Sequence, residues 1–220
     1  MTSSDEIRNN HDLAFFGKVN ASISHELKNI LAIISEAAGL LNDLTALAGR
    51  GKDVDLQMLR TCSDDIVAEI QRGFATIKQM NKFSHSVDDP FKSIDLIAVL
   101  ALMIDLAGYL SFTGQVRFDP PPQGVPAVLT CPFRLQNLLY QALVFAFEST
   151  GPEAEIQVAM QPESSGHVRI IFSGLGSKCE RAFPSDQMRR IADSISVAVQ
   201  VNGDSRQIEI VVPEAMEGLQ

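Results

Sequence analysis

Between residues 12 and 48, apolar side chains return every seven positions. Positions 16, 23, 30, 37 and 44 hold Phe, Ile, Ile, Ala and Leu; positions 20, 27, 34, 41 and 48 hold Asn, Leu, Ile, Leu and Ala. The two sets are offset by four and three residues, and Asn20 is their one polar member. A seam kept up over more than four heptads predicts one long helix made to pack against other helices. The pattern breaks at "GRGKD", residues 49 to 53, with two glycines. A second apolar stripe, Leu59, Ile66, Ile70, Phe74, Ile77 and Met80, predicts another helix over residues 54 to 86, closed by Pro90 in "SVDDPF". Two long helices joined by a short turn make an antiparallel hairpin. A lone hairpin cannot bury stripes this wide, whereas two copies paired into a four-helix bundle can.

The remaining sequence reads as α+β. "QVRFD" is a short strand before the prolines at 120 to 122, and residues 132 to 150 form a helix. "AEIQVAMQPESSGHVRIIFSG" alternates on either side of a turn, as a strand hairpin does. "PSDQMRRIADSI" is a helix with Ser185 or Asp186 as its N-cap. "SVAVQVNGDSRQIEIVVP" is a second hairpin turning at Asn202-Gly203. The expected organisation is a helical hairpin over residues 1–88 and an α/β domain over residues 91–220.

Composition narrows the function classes. The net charge of −9 and pI of about 4.9 argue against nucleic acid or an anionic membrane as partner, since both are held by clustered Lys and Arg. Cys62, Cys131 and Cys179 are far apart and show no metal-ligand spacing, as reduced thiols of a cytosolic protein would be. The N-terminal "MTSSDEIRNNHDL" is polar and reads as no signal peptide, so the expected location is cytoplasmic. One stretch, "IDLIAVLALMIDLAGYLSF" at residues 94 to 112, approaches the length of a bilayer span. Asp95 and Asp105 interrupt it, and a central Asp costs roughly 2.5–3.5 kcal/mol in lipid. It is expected to be a buried amphipathic helix.

The chemistry sits on the first helix. With the 16/23/30 set as d and the 20/27/34 set as a, His25 falls at f, farthest from the seam, and points at water. Glu26 falls at g, and Asn29 lies one turn from His25 on the same surface. Imidazole is the side chain that stands neutral and nucleophilic near neutral pH. A phosphoryl group is a fitting target, given a free ring nitrogen, room for in-line approach and a neighbour for the other proton. Glu26 is placed for that proton, and Asn29 for a phosphoryl oxygen or a water. An exposed histidine is also an ordinary surface residue, and spacing alone does not decide between the two. Below His25, the f and g positions hold Ala32, Ile33, Gly39 and Leu40; with Lys28 and Glu36 beside them, this is either a docking patch or a face turned to neighbouring helices. His11, His85 and His167 have no partners at metal-ligand spacing.

"SISHELKNIL" resembles the phosphoacceptor box of sensor histidine kinases, with His25, Glu26, Asn29 and Leu31 matching and Ile30 in place of the usual proline. That family follows its dimeric helical hairpin with an α/β nucleotide-binding domain, and residues 91 to 213 have the same element order. The resemblance implies an Asn for Mg²⁺ and phosphate at the position of Gln141. It also implies an adenine-binding Asp where Phe172 stands, leaving Gly174 and Gly176 of that box. The glycine-rich lid has no counterpart in "CERAFPSDQMRRIADS". A chain that keeps the phosphoacceptor helix without these groups is similar to the dimeric histidine phosphotransferases of multistep phosphorelays. The resemblance then implies a cytoplasmic homodimer that binds no ATP and moves a phosphoryl group between His25 and aspartates of response-regulator receiver domains. In that scheme the receiver supplies Mg²⁺, Glu26 accepts or orients a proton, Asn29 is a supporting polar contact, and Lys28, Ala32, Ile33 and Glu36 dock the partner. Three other readings stay open: an atypical ATP-dependent kinase, a non-catalytic dimeric scaffold or decoy, and a phosphatase of phosphorylated receivers.

Overall fold

The computed structural model describes residues 3–109, 114–150, 155–176, 182–202 and 206–215, with side chains from residue 10 onward. Cys179, Gly203 of the expected Asn202-Gly203 turn, and residues 110–112 at the end of the long apolar stretch lie outside the described residues. The chain divides into two compact units, Phe16–Lys82 and a second made of Met1–Phe15 with Phe83–Gln220.

The first unit is the helical hairpin. Helix α1 spans Ser3–Gly49 and α2 spans Leu56–Ser84. Helix α1 stops where Gly51 turns to φ 73°, a backbone state open to glycine. The Gly51 amide then donates to Ala48 O at 2.9 Å and the Lys52 amide to Leu47 O at 3.2 Å, which together satisfy carbonyls the helix end would leave unpaired. Asp55 opens α2 by accepting from the Gln57 amide at 2.8 Å. Along α1, Val19, Ile23, Ile30 and Leu44 are buried, while Leu27, Ile34 and Leu41 are half-buried. Asn20, the polar member of the seam, donates to Phe16 O in its own helix at 2.9 Å. The stripe expected on α2 divides between two faces. Cys62 and Thr76 are buried and Leu59, Ile66 and Met80 half-buried, whereas Val67, Ile70, Phe74 and Ile77 are exposed. These four repeat at three, four and three residues, the spacing of a helix-packing seam. By length and composition, α1 over Asn10–Gly49 is also long and apolar enough to cross a membrane.

The second unit is α+β. Its main sheet has the order β2-β4-β5-β7-β6, built from β2 (Gln115–Phe118), β4 (Glu155–Pro162), β5 (Val168–Ser173), β6 (Ala198–Asn202) and β7 (Gln207–Val212). Strand β2 runs parallel to β4, and the other pairs are antiparallel. Alternation turns Ile156, Val158 and Met160, Val168, Ile170 and Phe172, and Ile208, Ile210 and Val212 to one buried face. The register makes these residues neighbours, with Phe172 opposite both Val158 and Ile208. Helices α3 (Leu96–Gly108), α4 (Pro132–Thr150) and α5 (Asp186–Ser194) pack against the sheet and one another. The other sheet face carries Arg169, which pairs with Glu163 and Glu209. A small second sheet pairs β1 (Lys92–Ile94) with β3 (Val128–Thr130).

Two sequence expectations change character here. Asp95 is the N-cap of α3, accepting from the Ile97 amide at 2.9 Å and the Ala98 amide at 3.2 Å, so it begins the apolar helix and does not interrupt it. Of the two N-cap candidates for α5, Ser185 holds the position, accepting from the Met188 amide at 3.2 Å. A unit boundary falls between Lys82 and Phe83, ahead of the "SVDDPF" junction expected at residues 86–91, because aromatic packing draws both helix ends into the second unit. Phe15 lies 5.5 Å from Phe83 in an edge-on contact and 5.3 Å from both Phe133 and Tyr140. All four are buried, and each large apolar side chain so removed from water contributes about 1.5–3 kcal/mol.

Candidate functional site

Every inward position of α1 near the phosphoacceptor box is apolar except one. Phe15, Val19, Ile23, Glu26 and Ile30 are the buried residues in order, at steps of four, four, three and four. Glu26 therefore belongs to the inward row and is 8% exposed. A carboxylate there needs a cation, because an uncompensated charge taken out of water is costly. Arg72 of α2 supplies it. One guanidinium nitrogen pairs with Glu26 and another with Glu69 at 3.2 Å. Partial burial pulls the Arg72 pKa down, but Glu26 and then Glu69 outweigh it and hold the guanidinium above its ordinary value. The residue's backbone carbonyl accepts from buried Thr76 Oγ1 at 3.0 Å. Two turns of α2 are thereby tied to the residue next to His25.

Successive residues on an α-helix are separated by about 100° of rotation. With Glu26 and Ile23 inward, His25 is carried to the outside, where the structure places it exposed. Asn29 is exposed on the same face, its Nδ2 lying 3.3 Å from His25 Nδ1. That contact occupies the ring nitrogen nearer the backbone and leaves Nε2 as the outer edge. Lys28, Ala32, Ile33 and Glu36 are all exposed on α1 below it, Ile33 at 39%, with Leu40 at 42% further along. The structure thus gathers His25 and Asn29 and points Glu26 the other way. Sequence reasoning missed Arg72 and Glu69. The available signal was a Glu within reach of the seam on each helix, which calls for a basic residue between them.

The positions tied by resemblance to nucleotide binding lie in the second unit. Gln141 Nε2 donates to Asn137 Oδ1 at 2.7 Å on α4. Phe172 is fully buried in the sheet face. Gly174 has φ 87°, and a Cβ there would come within 2.7 Å of Glu155 O; a Cβ on Gly176 would come within 2.2 Å of Ser149 O. Both glycines serve close backbone approaches. Among the described residues, no group of three or more His, Cys, Asp or Glu side chains is placed to hold a metal ion.

No family model and no curated protein matches the sequence. Solved structures with similar folds are histidine kinase domains. They include the histidine kinase AdeS of Acinetobacter baumannii, with TM-score 0.46 and 11% identity over 86% of this chain and 98% of that one. The cytoplasmic segment of histidine kinase QseC has TM-score 0.44 and 15% identity over 66% of this chain and 93% of that one. The catalytic domain of histidine kinase ThkA has TM-score 0.46 and 14% identity over 57% of this chain and 96% of that one.

The ion pair makes a measurable demand. Arg72→Ala leaves the Glu26 carboxylate inside the hairpin without its cation, and is expected to lower stability by roughly 1–3 kcal/mol in urea unfolding. Arg72→Ala combined with Glu26→Leu removes the stranded charge and is expected to recover most of that loss.

Proposed function

We propose that this protein is a histidine phosphotransferase of a two-component phosphorelay, carrying a phosphoryl group on His25 between receiver-domain aspartates. The observation that carries this reading is the outward His25, its Nδ1 edge met by Asn29 and its Nε2 edge open to a partner. Transfer needs little else from the helix. The receiver contributes the reacting carboxylate and Mg²⁺, while His25 contributes a lone pair aligned for in-line displacement. The exposed row of Lys28, Ala32, Ile33 and Glu36 gives a receiver a surface with a small apolar centre and one charge of each sign.

The same reading has the protein work without ATP. Three features support it: Phe172 occupies the core where a carboxylate would have to stand, Gln141 is engaged with Asn137, and Gly174 and Gly176 lie against protein backbone. A phosphate cradle needs backbone N–H groups facing open space, and these glycines face carbonyls.

The protein acts as a cytoplasmic homodimer with neither nucleic acid nor membrane as partner. Support comes from the exposed seam of Val67, Ile70, Phe74 and Ile77 on α2, with Phe74 70% exposed in a single chain. Apolar surface arranged in a row is the kind that a second copy covers in a four-helix bundle. The acidic balance of −9 opposes attraction to phosphate backbones or anionic lipid. Charged residues along the middle of α1, among them Lys18, Glu26, Lys28, Glu36 and Asp43, suit a helix packed in water better than one in lipid.

Two experiments test this. Receiver domains from the same genome, charged with labelled phosphate, are mixed with the protein in Mg²⁺ without ATP. Label is expected to move to the wild-type protein and not to His25→Ala. Label lost from receivers without appearing on the protein indicates a phosphatase, and binding without any loss indicates a scaffold. Separately, Phe74→Glu is expected to convert a dimer into a monomer in sedimentation equilibrium; an unchanged mass would remove α2 from the dimer contact.

A further inference from the structure

Glu26 is the acid next to His25 in sequence, yet its carboxylate is committed to Arg72 inside the hairpin. The side chain that reaches the imidazole is Asn29, one turn on, its terminal amide meeting Nδ1 with Nδ2 at 3.3 Å. We infer that Asn29, and not Glu26, is the positioning residue that sets the tautomer of His25: its amide oxygen accepts the Nδ1 proton, which leaves the Nε2 lone pair as the nucleophile. This inference rests on His25 being the phosphoryl carrier.

The contact fixes which residue meets Nδ1, with the amide nitrogen toward the ring in the structure; the transfer chemistry selects the oxygen-toward-ring orientation. An amide presents oxygen on one side and nitrogen on the other, and a half-turn about its terminal bond exchanges them, so Asn29 can meet Nδ1 either as acceptor or as donor. With the nitrogen toward the ring, Nδ1 bears the lone pair and Nε2 the proton, and the exposed edge is not nucleophilic. With the oxygen toward the ring, Nδ1 keeps its proton and Nε2 is free. In the transfer step the Nε2 lone pair forms a bond to phosphorus as the aspartyl oxygen–phosphorus bond breaks. The leaving electron pair stays on the aspartate carboxylate. The ring then carries positive charge shared with Nδ1–H, and the Asn29 oxygen is the acceptor that stabilises it. In the reverse direction the same proton remains on Nδ1, so the neutral imidazole leaves with the electron pair of the Nε2–phosphorus bond. A neutral amide suits a carrier that must both load and unload, because it holds the proton without removing it.

The test reads the ring directly. Protein labelled with ¹⁵N and ¹³C in histidine is studied by long-range ¹H–¹⁵N NMR at about pH 8.5, where imidazole side chains are ordinarily neutral. The His25 signals are identified by their loss in His25→Gln. The expected result is a predominant Nδ1–H tautomer in the wild type and a tautomer ratio moved about fivefold toward Nε2–H in Asn29→Leu, the scale of one hydrogen bond. Asn29→Asp, which keeps an acceptor at the same place, is expected to retain Nδ1–H. A predominant Nε2–H tautomer in the wild type, or a ratio unchanged in Asn29→Leu, overturns the inference. Phosphoramidate serves as a small phosphoryl donor for the second reading: its nitrogen–phosphorus bond breaks, ammonia leaves, and His25 is expected to be modified at Nε2. Asn29→Leu should slow this severalfold, and an equal rate in wild type and variant counts against the inference. Receiver transfer plays no part in either measurement. Failure of the phosphorelay reading, with receivers inert and the tautomer as expected, is therefore distinguishable from failure of the role given to Asn29.

Discussion

A carboxylate in the interior of a two-helix hairpin is tolerable only beside a cation, and the pairing of Glu26 with Arg72 meets that condition. Such a pair adds little net stability compared with well-packed apolar side chains, because both charges give up water to form it. Its value is in direction. It requires one side of α1 to face Arg72 and Glu69 on α2. Once Glu26 and Ile23 are inward, the helical rotation leaves His25 no inward option, and Asn29 shares its outer face. An apolar residue at position 26 would bury as well but would not demand that α2 bring an arginine to the same level. The exposed chemistry of α1 is thus fixed by a polar interaction on its hidden side.

The second unit answers to a different constraint, the close packing of its sheet against helices. Its sheet presents one continuous apolar face through β4, β5 and β7, and Phe172 sits fully buried in that face. The loop after β5 approaches α4 so closely at Gly176 that no side chain would fit. Phe15 and Phe83, from the beginning of α1 and the end of α2, join Phe133 and Tyr140 in one aromatic cluster. Burial pushes the Tyr140 phenol up, which suits a ring held for packing in this cluster. On α1 His25 and Asn29 stand at the surface, while on α4 Gln141 donates to Asn137.

Much of the fold was legible because it is written in local periods. The two long helices and their break at Gly49 and Gly51, the β4/β5 hairpin and the α4 helix all follow from spacing and turn residues within a short window. The strands β1 and β3 were not legible. Each has three residues, too few to show alternation, and they pair across a long separation in sequence. The outward position of His25 followed from the heptad seam, but the inward position of Glu26 did not. Straight helical geometry drifts by about 20° per heptad from a strict seven-residue repeat, and that is enough to move a flanking position onto the packed row. The expected stripe of α2 divides between two faces, since a count of apolar residues does not tell which of them the hairpin buries. The site residues were named from the box around His25; what Asn29 and Glu26 each touch required coordinates.

The most direct check is where the phosphate sits. The protein is loaded from a charged receiver, digested at neutral pH to preserve acid-labile phosphate, and the modified peptide is mapped by mass spectrometry. The account predicts a single phosphorylated site at His25. Phosphate at His11, His85, His167 or a hydroxyl side chain, with His25 unmodified, would contradict it.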